Sequence, residues 1–187
     1  PRSTARRKIR EIEFYGGECV LVEPQDIFKT AAIHAGEADC YFMDQFTFAE
    51  RATDWRSDNN IAAAIFEQLE AERCPEPEWI VVGAGTGGTS TTIGRYLRYS
   101  GRGRNTKLCV VDPENSVLYD HYKTREPNLI SACPSRIEGI GRPRVEPSFF
   151  PELVDRMIQV PDAGSIAALR FLETLTGRRV GGSTGTN

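Results

Sequence analysis

The residues best placed to do chemistry lie in one stretch, Val81-Val82-Gly83-Ala84-Gly85-Thr86-Gly87-Gly88-Thr89-Ser90-Thr91-Thr92. Its glycines let the backbone approach an anion closely, and its threonine and serine hydroxyls add donors. The stretch follows the apolar run Trp79-Ile80-Val81-Val82 and precedes Ile93-Gly94-Arg95-Tyr96-Leu97-Arg98. Strand, glycine turn and helix start thus come in the order that aims successive amides and a helix N-terminus at a phosphate. A plain connection would not need the entropic penalty of so many glycines. The expectation is a cradle for the phosphate of a cofactor.

The surrounding elements must hold that loop. Ser3 or Thr4 can cap a helix running to Tyr15, with Gly16-Gly17 as its stop. Apolar runs at 19–22 and 40–43 read as strands, and Pro24 opens a helix over 25–35. Residues 44–55 read as a crossing loop with a helical turn. A helix over 59–73 follows, with Ile61, Ile65, Phe66 and Leu69 on one face. After the glycine loop come a helix to Tyr99 and a strand over 108–111, closed by Asp112-Pro113. Residues 114–151 are proline-rich and weakly periodic and contain Ile137-Glu138-Gly139-Ile140-Gly141; so long an irregular stretch usually lines a site. A strand over 157–160 leads to a helix over 165–175, capped by Asp162 and stopped by Gly177, with Ile166, Leu169, Phe171 and Leu172 toward the core. Residues 181–187 look like a second strand-to-helix turn with no helix after it. This alternation predicts an α/β fold, a mainly parallel sheet with helices on both faces and right-handed crossovers, incomplete at both ends.

Composition excludes several function classes. The 187 residues are 40% hydrophobic and 26% charged with a net charge of -3, so no basic footprint for nucleic acid is present, and no apolar run approaches a membrane span. The basic residues Arg2, Arg6, Arg7, Lys8 and Arg10 read as the solvated face of the first helix. Five cysteines without C-x-x-C spacing point to a reducing, cytoplasmic setting without disulfides. Only His34 and His121 occur, so no metal cluster is expected, and neither histidine is assigned a role.

Two cofactors compete for the loop. Gly83-Ala84-Gly85-Thr86-Gly87-Gly88 matches the dinucleotide pattern G-x-G-x-x-G, and Asp112 stands where a ribose partner belongs, which would make the protein an NAD-dependent oxidoreductase. Against this, two strand–helix units precede the loop, whereas the fingerprint normally opens its domain. The hydroxyl-rich content also suits a terminal phosphate monoester better than a pyrophosphate.

The chain resembles the cysteine synthase family, the fold-type-II pyridoxal-phosphate (PLP) enzymes. Val82-Gly83-Ala84-Gly85-Thr86-Gly87-Gly88-Thr89 resembles their phosphate loop, and Val111-Asp112-Pro113-Glu114-Asn115-Ser116 a strand ending in an acid–proline pair. Ile137-Glu138-Gly139-Ile140-Gly141 resembles their Gly-Ile-Gly segment, Val180-Gly181-Gly182-Ser183-Thr184-Gly185 their C-terminal Gly-x-Ser-x-Gly turn, and Gln45-Phe46 their substrate-facing Gln-Phe. Within the family, residues 43–55 look most like actinobacterial L-cysteine desulfhydrases and lack the Asn-Pro of typical cysteine synthases.

The resemblance implies roles. Gly85, Thr86, Gly87, Gly88 and Thr89 would hold the PLP phosphate and Ser183 the pyridine nitrogen. Gln45 would face the substrate carboxylate, and Gly139 would let backbone approach the site; Phe42, Met43 and Phe46 read as core or pocket wall. Residues 1–46 would be the remainder of a small mobile domain and 47–187 most of the large PLP-binding domain. The implied reaction is β-elimination on L-cysteine or the related β-replacement, by a homodimer when full length. The family's Schiff-base lysine lies in a Ser-x-Lys segment with no match here. Lys8, Lys29, Lys107 and Lys123 do not correspond to it, so the chain reads as a fragment, inactive alone, with its catalytic lysine expected upstream. A truncated non-catalytic relative is the remaining alternative.

Overall fold

The protein is described by a computed structural model covering all 187 residues. It divides into two compact units, Pro1–Met43 and Asp44–Asn187.

The first unit carries two helices. α1 (Arg6–Phe14) ends at Tyr15, and Gly16 takes the left-handed conformation at φ 82° that stops it. Its N-cap is Ala5, not Ser3 or Thr4, and no side chain caps it. A 3-10 turn over Pro24–Asp26 leads into α2 (Ile27–His34), and Phe28 meets Phe42 edge-on at 6.3 Å. The apolar runs at 19–22 and 40–43 are not strands. A strand exists only through a paired neighbour, and here Val22 O takes a single N–H from Arg2 while Cys40 N–H turns back onto Glu37 O.

The second unit opens with α3 (Gln45–Phe48), where the Asp44 side chain accepts the Thr47 N–H, and a 3-10 turn over Ala49–Arg51. α4 (Ile61–Leu69) is shorter than the expected 59–73, although it spans the whole apolar face from Ile61 to Leu69. Asn60 Oδ1 accepts the N–H groups of Ala62 and Ala63 at 2.9 and 3.0 Å, which fixes where the helix starts. That phase buries Ala62, Ala63 and Phe66 and leaves Ile61 half exposed.

Three parallel strands form the sheet, β1 (Trp79–Gly83), β2 (Lys107–Pro113) and β3 (Arg156–Val160), in the order β1-β2-β3. Ile80 pairs with Leu108 and Val110 pairs with Met157. These alternate residues form one core with Ile93 and Leu97 of α5 (Gly88–Tyr99) and with Ala62 and Phe66 of α4. β2 is buried from Leu108 to Pro113, as a central parallel strand must be. The parallel α/β fold read from the alternation is the one that forms.

Three further features depart from the sequence reading. α6 (Leu118–Thr124) lies inside the stretch expected to be irregular. It is too short to show a period, and side chains from the preceding strand and turn start it: Asp112 Oδ2 accepts the Tyr119 N–H at 2.9 Å and Ser116 Oγ accepts the Leu118 N–H at 3.3 Å. α7 (Asp162–Thr176) begins at Asp162, with Pro161 as N-cap, so Asp162 lies in the first turn rather than capping from outside. Gly177 ends it at φ 67°, yet Ile166 and Phe171 are mostly exposed rather than in the core. Finally, residues after Gly181 do form a helix, α8 (Gly182–Thr186), which lies against α7, where Thr186 Oγ1 donates to Ser165 Oγ at 2.9 Å. No helix is long and apolar enough to cross a membrane.

Candidate functional site

β1 ends at Gly83 and α5 begins at Gly88, with Gly87 as its N-cap at φ 90°. The first turn of a helix leaves its amides without intrahelical partners, and the helix dipole makes that end positive. Here Thr86 Oγ1 accepts the Gly88 N–H at 3.3 Å, and the first helical bond is Thr91 N–H to Gly87 O. A cavity of about 250 Å³ opens at this turn, bounded by Ala49, Thr53, Ile61, Thr86, Gly88, Thr89 and Thr92.

Helical geometry sorts the hydroxyls. Thr89 and Thr92 are three apart and share a face, and both line the cavity with Thr86. Ser90 and Thr91 turn inward. Ser90 Oγ donates to Gly87 O at 2.9 Å, and Thr91 Oγ1 donates to Ser148 O at 2.8 Å. Only part of the hydroxyl-rich string is therefore available to a ligand.

Close packing explains two of the glycines. A Cβ on Gly85 would stand 2.6 Å from Gly139 O, and one on Gly87 would stand 2.5 Å from the Phe149 Cα. The loop thus rests directly on two later segments. Gly141 N–H donates to Ala84 O at 2.8 Å, and Gly139 has φ 90°. The third glycine turn arrives too. A Cβ on Gly83 would meet Ile140 at 2.8 Å and Asn187 Oδ1 at 3.5 Å, and one on Gly182 would meet Ile137 at 3.4 Å. Three turns separated by dozens of residues therefore converge at the carboxyl end of β1. Ser183, half-buried, lies in the first turn of α8. Gln45, exposed, starts α3, and that segment reaches the loop through Ala49, packed on Gly88.

Asp112 is not available to a ribose. It is completely buried, its Oδ2 takes the Tyr119 N–H, and its Oδ1 has no partner. Burial pushes its carboxyl up to about 6, against the opposing pull of the Ser116 hydroxyl and the Tyr119 N–H. Glu50 goes the other way. Burial would raise its carboxyl, but hydrogen bonds from Arg95 and Arg51 and their charges hold it below the usual range. Lys107 lies at the opposite end of β2 from Asp112, over the Trp79 ring, and Lys123 on α6 lies over Tyr119. His121 is buried, with Nδ1 2.8 Å from Glu126 O, and His34 pairs with Glu37.

Motif reading missed one group. Glu146 is fully buried, and both Arg142 and Arg144 donate to it, at 2.7 and 3.3 Å. Ser148 Oγ accepts the Glu50 N–H and donates to Thr47 O at 3.0 Å. The alternation Arg142, Arg144, Glu146 was the available signal, but alternating charge does not reveal which carboxylate loses its water.

Neutral hydroxyls, first-turn amides and a helix N-terminus around a small cavity form a donor set that fits a phosphate monoester. The whole chain, residues 1–187, matches the family model described as pyridoxal-phosphate dependent enzyme. It is 56% identical over 188 residues to L-cysteine desulfhydrase Cds1 of Mycobacterium tuberculosis, covering 100% of this chain and 50% of that protein. It is 32% identical to cysteine synthase 2 of Emericella nidulans, over 79% of this chain and 35% of that one. The chain spans about half or less of the length of these relatives. The solved structure of O-ureido-L-serine synthase superposes with a TM-score of 0.77 at 20% identity, covering 98% of this chain and 55% of that one, which speaks to the fold.

Proposed function

The chain belongs to the pyridoxal-phosphate dependent enzyme family, and from that premise we propose that it forms part of an L-cysteine desulfhydrase, releasing hydrogen sulfide, pyruvate and ammonia. The observation that carries this reading is the convergence of three glycine turns at the carboxyl end of β1, where Thr86, Thr89 and Thr92 line a cavity beside the start of α5. The 56% identical relative named for that activity favours elimination over the synthase reaction.

Gly85, Thr86, Gly87, Gly88 and Thr89 hold the phosphate, with amides and hydroxyls neutralising its charge without a side-chain cation. When bound, the cofactor supplies the electron sink that lets a β-substituent leave its amino-acid substrate. Ser183 donates or accepts one neutral hydrogen bond at the ring nitrogen and so does not impose a full positive charge there. Gln45 uses its carboxamide to bind the substrate carboxylate. Gly139 keeps the wall of the site free of a side chain, and nothing lies within 4 Å of where its Cβ would be. Residues 1–46 are the remainder of a small mobile domain and 47–187 most of the large cofactor-binding domain. The same reading makes the working enzyme a homodimer in the cytoplasm.

The experiment is a pair of assays on the holoenzyme that contains this chain. Sulfide released from L-cysteine without any added acceptor is expected. Sulfide consumption with O-acetylserine, and none released from cysteine, would replace elimination by β-replacement. Saturable NAD binding with no PLP binding would overturn the cofactor itself, and binding of PLP without either reaction would leave a non-catalytic relative.

A further inference from the structure

We propose that Arg142 is a positioning residue for Gln45, acting through the ring of Phe46. The proposal rests on the reading of Gln45 as the contact for the substrate carboxylate. It starts from the shortness of α3: four residues cannot hold a helix by their own hydrogen bonds. The direction of Gln45 must come from what grips its neighbours.

Besides the local Asp44 cap, two grips come from distant segments. On one side Ser148 Oγ donates to Thr47 O at 3.0 Å. On the other, the Arg142 guanidinium carbon lies 4.2 Å from the centroid of the Phe46 ring. A planar guanidinium over an aromatic face is attracted by the ring quadrupole and fixes the ring's tilt.

Arg142 is itself held at both its side chain and its backbone. Its Nε donates to Glu146 Oε1 at 2.7 Å, and Glu146 is fully buried with Arg144 as its second partner. Its backbone N–H donates to Ser116 Oγ at 3.0 Å, and its carbonyl accepts the Val117 N–H at 2.9 Å. It directly follows Gly141, whose N–H is bound to Ala84 O in the cradle loop. One rigid path therefore runs from the phosphate loop through Gly141, Arg142 and Phe46 to Gln45. The buried carboxylate orients the cation edge-on, which leaves its flat face for the ring.

The variants are Phe46→Leu, which keeps the Arg142–Glu146 pair, and Arg142→Lys, which keeps the charge and loses the plane. The readouts on the holoenzyme are the dissociation constant for L-alanine, which cannot eliminate, by calorimetry, together with KM, kcat, PLP affinity and melting temperature. Phe46→Leu is expected to weaken L-alanine binding and raise KM for cysteine about tenfold, the order for losing one hydrogen bond to a charged group. Expected alongside are a kcat within about twofold and an unchanged PLP affinity. Gln45→Ala should show the same loss, and Phe46→Leu should add nothing further in that background. Additive losses, an unchanged L-alanine constant, or a parallel fall in PLP affinity would overturn the proposal. A parent enzyme that binds no PLP or releases no sulfide would instead defeat the functional reading on which it rests.

Discussion

At the scale of single residues, the glycine loop separates side chains that face a cavity from side chains that hold the loop. Thr89 is exposed on the cavity wall. Thr89→Val should therefore leave unfolding stability within about 0.5 kcal/mol, while PLP affinity falls about fivefold, one hydrogen bond's worth. Denaturant titration and cofactor titration read the two quantities separately. Asp112 makes a different prediction. Its folded carboxyl sits at about 6, above the ordinary aspartate value of 3.8. The folded state therefore holds a proton that the unfolded chain has lost between those values, and stability falls as pH rises through the window. The loss amounts to about 3 kcal/mol at most. Asp112→Asn should abolish that component, so its stability relative to the parent should improve from pH 4 to pH 7 in urea unfolding. A parent–variant difference that does not change with pH would contradict the assignment.

At the scale of elements, caps and contacts decide boundaries that periodicity leaves open. The sequence reading carries α4 on to residue 73, but it stops at Leu69 and starts where Asn60 binds two amides. Asn60 Nδ2 also donates to Ser57 O at 2.5 Å. Asn60→Ala should cost about 1–2 kcal/mol, read as a lower urea midpoint with unchanged slope. α5 illustrates the reverse dependence. Its start at Gly88 was legible in the glycine pattern, because only glycine takes φ 90° freely at Gly87. α6 was not legible, since its initiating bond comes from Asp112 on a neighbouring strand.

At the scale of the whole molecule, the two units differ in what they bury. α1 and α2 contain no buried residue, whereas β2 is buried over six of its seven residues. Hydrogen exchange of this chain should show the slowest amides at Leu108 to Val111 and near-complete early exchange across α1 and α2. Protection of α1 equal to that of β2 would contradict this distribution.

The amino-acid sequence alone determined the parallel α/β alternation from residue 79 onward and the positions of the three glycine turns, since apolar runs and glycine-rich turns are local properties. Through its likeness to known PLP enzymes it also pointed to the family. Tertiary structure alone decided which apolar runs became strands: 79–83 found a partner and 19–22 did not, because pairing is a relation between segments. It also decided that Thr86, Thr89 and Thr92 face a cavity while Ser90 and Thr91 bond inward. Asp112, which spacing offered as a ribose ligand, became a buried carboxyl serving α6. Desolvation depends on every neighbour at once, and no spacing within the chain records it.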